Sequence, residues 1–522
     1  MYIYQLIIQK EGRGVNSAGE IMPEILIRAG EREKRVSAQP GERLLDVLRR
    51  AGVLVPAPCG GLGKCGKCRA ELDGESVLCC RTRVTRDCTV RIEELQGGVI
   101  LAGEGESPAV PGKAGAALGA ALDLGTTTLA LKLYDLETGA CLGQQTAWNA
   151  QAAYGADVIT RAQYCMEHPA GTEKLQRVIR EQLGDMLRAL GTEEDALTSL
   201  FVAGNTVMQH LFAGLDPSSI ARAPFRAQTL FDAPDTGSVH YAPCVAGYVG
   251  GDITAGLLAS GLYEKPGRRL FLDIGTNGEM ALGGKDGFLC CAVASGPAFE
   301  GAGISCGMTG TAGAVAHVRE ENGSLRLEVI GGGEVRGICG SGLLDLAALL
   351  CREGVITGSG LLLPPEEAPE KWTAYLGVDE DLNGVFYLTP DRRVYLTARD
   401  VRQLQLAKAA VAAGIRVLLK KSGTDVTALD GLCIAGGFGS FLDPKSAAAI
   451  GMLPAELADK TVTLGNASLA GAGMALLDPA ARARLCEIQK SCDYIELSGD
   501  PDFNEEYPEQ MSFYEEDEDE LN

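Results

Sequence analysis

The sequence predicts a small α+β domain followed by a larger α/β fold built from two related halves. Three observations carry this. Between Pro23 and Ile92, short strand-like runs surround a glycine loop rich in cysteine. After residue 118, strand and helix patterns alternate to about residue 480, as in α/β architecture. Finally, Ala121-Leu-Asp-Leu-Gly-Thr-Thr-Thr-Leu-Ala-Leu131 recurs in altered form as Phe271-Leu-Asp-Ile-Gly-Thr-Asn-Gly-Glu-Met-Ala281. That spacing of about 150 residues is too long for a solenoid repeat and points to two related domains facing each other.

Read in order, Gly12 to Glu20 is loop-like and Met22 is a candidate second start. Glu24 to Arg28 and Glu33 to Val36 read as strands with a turn at Ala29-Gly30. Leu44, Leu45, Val47 and Leu48 suit a short amphipathic helix ending before Gly52. Asp73-Gly74, between Ala70–Leu72 and Glu75–Leu78, is a two-residue hairpin signal. Val90 to Ile92 closes the small domain. Further on, Thr397 with Asp400 predicts a capped helix start; apolar residues follow from Val401 to Leu418 at helical spacing, and Gly423 can end the helix. The expected division is an N-terminal extension over 1–22, the small domain over 23–95 and a Gly/Ala/Pro-rich linker over 96–118. A first half over 119–266, a second half over 267–498 and an acidic tail over 499–522 complete it. Glu515 to Glu520 reads as a solvated, disordered run.

Composition excludes several roles. A net charge of −22 disfavours nucleic acid and anionic membrane surfaces as partners. No run approaches ~18 apolar residues, so no membrane span is expected, and the N-terminus lacks a leader pattern. Seventeen cysteines without export signals then read as thiols or metal ligands in a cytoplasmic protein. Gly is abundant, with 68 copies, and aromatics make up only 5%, which favours backbone-lined phosphate sites over aromatic pockets.

The cysteine spacing is Cys59-x5-Cys65-x2-Cys68-x11-Cys80. Thiolates are the usual ligands of iron–sulfur clusters, and the plant-type pattern is C-x4-C-x2-C with a distant fourth Cys. Here the first gap is one residue longer. Gly60, Gly61, Gly63 and Gly66 allow the loop to wrap a cluster and turn N–H groups toward its sulfurs. The hairpin at Asp73-Gly74 returns the chain to the first three cysteines. Strand alternation then sets Cys79 and Cys80 on opposite sides; Cys80 is favoured as fourth ligand, with Cys79 and the weaker Cys88 as alternatives. A four-cysteine zinc site is the competing reading, but such sites usually pair two separated C-x2-C knuckles. Gly61-x-Gly63-x-x-Gly66 mimics a dinucleotide fingerprint, and Gly61-x4-Gly66-Lys67 mimics a P-loop. Neither leads into a helix, so both are rejected.

Asp123-Leu-Gly-Thr-Thr-Thr128 and Asp273-Ile-Gly-Thr-Asn-Gly278 suit phosphate handling. Gly lets backbone N–H groups approach phosphate oxygens, Thr hydroxyls add donors, and an Asp can hold Mg²⁺ or orient water. Either loop alone also fits an ordinary hairpin turn; the pair is more specific. Leu432–Ala435 reads as a strand running into Gly436-Gly-Phe-Gly439, a turn on which a nucleotide can lie against backbone. The four histidines, His168, His210, His240 and His317, lack metal-type spacing and read as packing residues.

Pro58-Cys-Gly-Gly-Leu-Gly-Lys-Cys-Gly-Lys-Cys68 with Cys80-Arg-Thr-Arg-Val84 resembles a ferredoxin-type [2Fe–2S] domain, which implies a ferredoxin-like (β-grasp) fold. The three later motifs together resemble the ASKHA (actin/Hsp70/sugar kinase) ATPase superfamily, a two-lobed α/β fold that binds ATP between its halves. That resemblance implies Asp123, Gly125, Thr126, Thr127 and Thr128 in a first phosphate loop and Asp273, Gly275, Thr276 and Asn277 in a second. Gly436, Gly437, Phe438 and Gly439 fall at the adenosine end. Asp123, Asp273 and Glu279 become the candidate catalytic residues beside the γ-phosphate or Mg²⁺, although Glu279 also fits a solvated strand position.

The combination resembles the ATP-dependent reductive activators of corrinoid proteins. Val202-Ala-Gly-Asn-Thr-Val-Met208, Gly340-Ser-Gly-Leu343, Arg399–Lys408 and Ile434–Ser440 fit that family too. The short gap between Cys68 and Cys80 departs from the longer insertion of many members. The resemblance implies reduction of a partner's Co(II) to Co(I) in an anaerobic methyltransferase system, with a [2Fe–2S] cluster, ATP and Mg²⁺ as cofactors. A low-potential electron donor and a homodimer are further expectations. No Asp-x-His-x-x-Gly motif is present, so the corrinoid should belong to the partner. The rival readings are an electron donor like the 2-hydroxyacyl-CoA dehydratase activators, a metabolite kinase with a redox-sensing domain, and a non-enzymatic ferredoxin module.

Overall fold

The computed structural model describes residues 22–29, 32–51, 53, 55, 63, 68–92, 117–233, 237–379 and 383–514. Cys59, Cys65, Gly60, Gly61, Gly66, the 1–21 segment and most of the expected linker lie outside them. The chain forms two compact units, residues 1–97 with 148–171, and residues 98–147 with 172–522.

The first unit is a mixed five-stranded sheet. Its strands are β1 (Glu24–Ala29), β2 (Arg32–Ser37), β3 (Arg69–Leu72), β4 (Glu75–Leu78) and β5 (Cys88–Ile92), in the order β2-β1-β5-β3-β4. β1 runs parallel to β5, and the other pairs are antiparallel. The β3–β4 turn is Asp73-Gly74, both at positive φ (49° and 95°), the twist a two-residue hairpin needs. Helix α1 (Leu44–Arg50) buries Leu44, Leu45, Val47 and Leu48 against Ile25, Ile27 and Val90, as its spacing predicts. The unit also contains α2 (Val158–Glu167), opened by an Asp157/Thr160 capping box. The Arg49 guanidinium lies 5.9 Å from the centre of the Tyr154 ring.

The second unit contains two sheets of matching topology. The first has β6 (Leu118–Leu124), β7 (Thr128–Asp135), β8 (Cys141–Trp148), β9 (Leu197–Gly204) and β10 (Val239–Tyr241), ordered β8-β7-β6-β9-β10. The second has β11 (Arg269–Ile274), β12 (Gly278–Gly284), β13 (Gly287–Val293), β14 (Gly431–Ala435), β15 (Thr461–Thr463) and β16 (Cys492–Tyr494), ordered β15-β14-β11-β12-β13-β16. Each lays a three-strand meander beside two parallel strands, so the short sequence repeat marks a real structural repeat.

Helices α3 (Thr206–Ala213), α4 (Gly251–Ser260), α5 (Gly340–Arg352), α6 (Ala398–Ser422) and α7 (Ala467–Leu477) join these sheets. One core cluster draws Ala121, Phe201 and Ala203 from the first sheet, Phe271, Ala281 and Ala435 from the second, and the buried faces of α4 and α7. The two helices pack closely enough that a Cβ on Gly471 would sit 2.0 Å from the Ala255 carbonyl oxygen. This shared layer holds the two halves of the unit together.

Helix α6 starts and stops where the sequence predicts. Thr397 Oγ1 accepts from the Asp400 amide at 3.2 Å, Asp400 Oδ2 accepts from the Thr397 amide at 2.9 Å, and Gly423 ends the helix at φ 60°. Thr397→Ala should lower stability by about 1 kcal/mol, read as a lower urea midpoint at unchanged slope. The chain's end is more structured than an acidic tail. Residues 501–509 form helix α8 (Pro501–Glu509), tied to α6 by Lys420–Asp502 and Lys421–Asp500 ion pairs. Buried Lys408 donates to the Ser512 carbonyl, and Phe513 enters the core. The aromatic and apolar residues interspersed with the acids explain this docking. Residues 515–522, which include the acidic run, lie outside the described residues. Among the described residues no helix is long and apolar enough to cross a membrane.

Candidate nucleotide and cluster sites

Both phosphate-type loops are turns between paired strands at the same place in each sheet. Gly125 follows β6, and a Cβ there would fall 2.4 Å from the Thr128 carbonyl oxygen, so this turn closes only around glycine. Thr126 and Thr127 complete the turn and Thr128 begins β7. The second loop is braced by Ser295, whose hydroxyl donates to the Gly275 and Thr276 carbonyls at 3.1 and 3.3 Å. Asn277 lies between this turn and β12. The two loops meet, with Thr127 and Thr276 hydroxyl oxygens 3.1 Å apart. Glu300 joins them, since its Oε2 accepts from Thr127 at 3.1 Å and Thr276 at 2.6 Å.

Four carboxylates lie beneath these loops. Asp123, next to last in β6, pairs with Ala203 of β9, and Asp273, next to last in β11, lies between Ala435 of β14 and Glu279 of β12. Asp252, in the first turn of α4, is the fourth. Asp123 is held at both oxygens, by Asn466 Nδ2 at 2.7 Å and Ser468 Oγ at 2.8 Å. Asn466 also caps α7, so this helix's start fixes the aspartate. Glu279 is buried, and its Oε1 accepts from Asn205 Nδ2, the cap of α3, at 3.4 Å. It is no solvated strand residue.

Burial pushes all four carboxyls upward. For Asp123, the Asn466 and Ser468 bonds oppose the shift. Asp273 rises to about 7 through burial and the charge of Asp123. Asp252 rises to about 8 through burial and then Asp273 and Asp123. Glu279 rises through burial, Asp252 and Asp273. Among the described residues no three or more His, Cys, Asp or Glu side chains form a group that could hold a metal ion by themselves, so a hard cation here would need oxygens from water or phosphate as well.

The Gly436–Gly439 turn meets the second loop. Gly436 has φ 91°, and a Cβ there would fall 2.6 Å from Asp273 Oδ1, so only glycine lets this backbone pass the aspartate. Gly437 is exposed, and Gly439 packs on Ile434. The Phe438 ring stacks on Phe299 at 4.9 Å, which commits it to holding the turn.

In the first unit, Cys68 and Cys80 come together. The Cys80 amide donates to Cys68 Sγ at 3.4 Å, and both residues are buried. An N–H aimed at a thiolate is the support an iron-bound sulfur requires, so these two residues fit a cluster. Strand alternation does not separate Cys79 from Cys80, because β4 ends at Leu78. The Arg81 and Thr82 amides both donate to the Leu78 carbonyl and turn the chain there. Cys79 is instead built into the core: its amide donates to the Cys68 carbonyl at 2.7 Å, and its carbonyl accepts from Leu45 at 3.1 Å. Burial, then the charge of Cys68, pushes its thiol up to about 12. Arg81 holds the Gly63 carbonyl at 2.7 Å, fixing one point of the glycine loop.

Three family models match successive parts of the chain. Residues 27–94 match a 2Fe-2S iron-sulfur cluster binding domain, 118–265 the RACo middle region, and 268–522 the C-terminal domain of RACo, the ASKHA domain. The corrinoid activation enzyme RamQ of Eubacterium limosum is 36% identical over 413 residues, covering 74% of this chain and 69% of that protein. The chain belongs to the RACo family. A second relative, the [Co(II) methylated amine-specific corrinoid protein] reductase of Methanosarcina barkeri, is 26% identical over 76% of this chain and 77% of its own length. A solved structure described as a reductive activator for corrinoid, iron-sulfur protein matches with a TM-score of 0.69 and 30% identity, covering 94% of this chain and 98% of that one. A ferredoxin-type domain and an ASKHA ATPase fold, both expected from the motifs, are therefore the two working parts of this RACo-family chain. Sequence reasoning missed Asp252, Asn205, Glu300, Asn466 and Ser468 as site residues. Gly250-Gly251-Asp252 opening a helix was a readable signal for the first; spacing carries none for Glu300.

Proposed function

We propose that this RACo-family chain uses ATP to reduce the cobalt of a partner corrinoid protein from Co(II) to Co(I), one electron at a time, in a methyltransferase system. The observation that carries this is the union in one chain of an iron–sulfur domain with an ASKHA domain, shared over most of its length with a corrinoid activation enzyme. A bound [2Fe–2S] cluster supplies a one-electron carrier, near roughly −400 mV in plant-type centres. The Co(II)/Co(I) couple generally lies lower, so the transfer runs uphill unless nucleotide shifts the complex to a state that favours it.

Cys59, Cys65, Cys68 and Cys80 hold the cluster in this reading. Thr126, Thr127, Thr128, Thr276, Asn277 and the amide of Gly125 bind the phosphates, with Gly275, whose amide closes the turn onto the Asn277 carbonyl, shaping the second loop. Asp123, Asp252, Asp273 and Glu279 face a phosphate-bound Mg²⁺ through its water shell, and orient the attacking water. The Gly436–Gly439 backbone lies at the adenosine end. A low-potential reductant outside the chain reloads it, in the cytoplasm, and a homodimer is the proposed assembly. The test is an anaerobic assay of pre-reduced protein with a corrinoid protein, following cobalamin absorbance. Co(I) should accumulate with MgATP and stay near background without it; equal yields in both would sink the reading.

A further inference from the structure

We infer that Glu300 is a built-in anion which occupies the phosphate donors of the nucleotide-free protein and is displaced when ATP binds. The inference rests on the ATP reading of the two loops. Thr127 and Thr276 come from equivalent turns of the two sheets, and a single oxygen, Glu300 Oε2, accepts from both hydroxyls. Each hydroxyl has one proton to give. While Glu300 holds the two protons, neither can reach a phosphate oxygen. A carboxylate and a phosphate oxygen competing for the same donors also repel each other. Glu300 therefore stands where an anion belongs, and the polyphosphate must replace it.

Glycines flank the turn that carries Glu300. Glu300 ends a single turn, Pro297–Glu300, lying between Gly296 and Gly301 at φ 74° and 78°, with Gly303 at 85°. The same turn carries Phe299, stacked on Phe438 of the glycine turn at the adenosine end. Just beyond, the Ser305 amide donates to Asp400 Oδ1 at 2.7 Å, in the capping box of α6. Displacing Glu300 thus reports phosphate occupancy to both the adenosine turn and the 25-residue helix α6. Until it leaves, the binding-competent fraction is reduced, and apparent ATP affinity falls with that fraction.

The test measures MgATP and adenosine binding to the full chain by titration calorimetry, for the natural protein, Glu300→Gln and Glu300→Asp. The neutral amide accepts more weakly than the carboxylate, so Glu300→Gln should bind MgATP about tenfold more tightly. Glu300→Asp keeps the charge but is too short to bridge both hydroxyls, and about threefold tightening is expected. Adenosine, lacking phosphate, should bind all three alike. Unchanged or weaker MgATP binding in either folded variant, or equal tightening of adenosine, overturns the role of Glu300. Failure of the natural protein to bind MgATP overturns the ATP reading itself, and this inference with it.

Discussion

Cys80→Ser should abolish Co(I) formation and remove the visible absorbance of the reduced and oxidised cluster, while MgATP binding stays within about twofold of the natural protein. The reason is local. Cys80 lies in the turn after β4, and its amide donates to Cys68 Sγ, so the two residues are neighbours. A serine hydroxyl is a poor substitute for a thiolate at iron, and loss of one ligand of four opens the cluster to solvent. Cys79→Ser serves as the contrast. Its side chain is fully buried and its backbone is committed to Cys68 and Leu45, so this change should lower stability of the domain by about 1–2 kcal/mol while the cluster signal survives. Absorbance and electron paramagnetic resonance of the reconstituted variants decide between the two cysteines. A full cluster in Cys80→Ser and none in Cys79→Ser would reverse the assignment.

Asp273→Asn and Asp252→Asn should raise stability and destroy activity together. Burial and mutual repulsion lift these carboxyls to about 7 and about 8. An unfolded carboxyl titrates near ~4. Between those limits the folded state keeps protons that the unfolded chain has lost, so stability falls as pH rises from about 4 to about 8. The nucleotide-free protein should therefore melt at a higher temperature at pH 5.5 than at pH 8, with Mg²⁺ and ATP narrowing the gap by compensating the ionised set. Each asparagine removes a charge from the cluster and should stabilise the nucleotide-free protein at pH 8 by on the order of 1–2 kcal/mol. ATP hydrolysis should drop at least ~10²-fold, because the carboxylates that would face the hydrated cation and orient water are depleted. A melting temperature that rises from pH 5.5 to pH 8 would contradict the electrostatics, and near-normal hydrolysis in both variants would contradict the site.

Much of this molecule is legible in its residues because the relevant physics is local. The Asp73-Gly74 hairpin, the Thr397/Asp400 box and Gly423 are turns and caps whose chemistry is set within a few positions. The Asp-x-Gly-Thr loops are similar: Gly125 is required by the carbonyl of Thr128, three residues away. The clustering of Cys68 and Cys80 follows from a hairpin of known length. What spacing cannot reveal is which distant groups share a volume. Glu300 meets Thr127 across 173 residues, and Asn466 meets Asp123 across 343. The end of β4 before Cys79 depends on how the turn is bonded, which alternation alone does not show.

The sequence by itself determined the chemistry available to this protein: cysteines spaced for iron–sulfur, and two glycine–threonine turns suited to phosphate. Only the tertiary structure decided how those parts are charged and engaged. Packing α4 and α7 between two sheets brings Asp252, Asp273 and Glu279 close enough to feel neighbouring carboxylates, Asp123 among them, and the same fold sets Glu300 on both threonines. Burial and proximity are properties of the fold, and they turn a pair of plausible loops into one site.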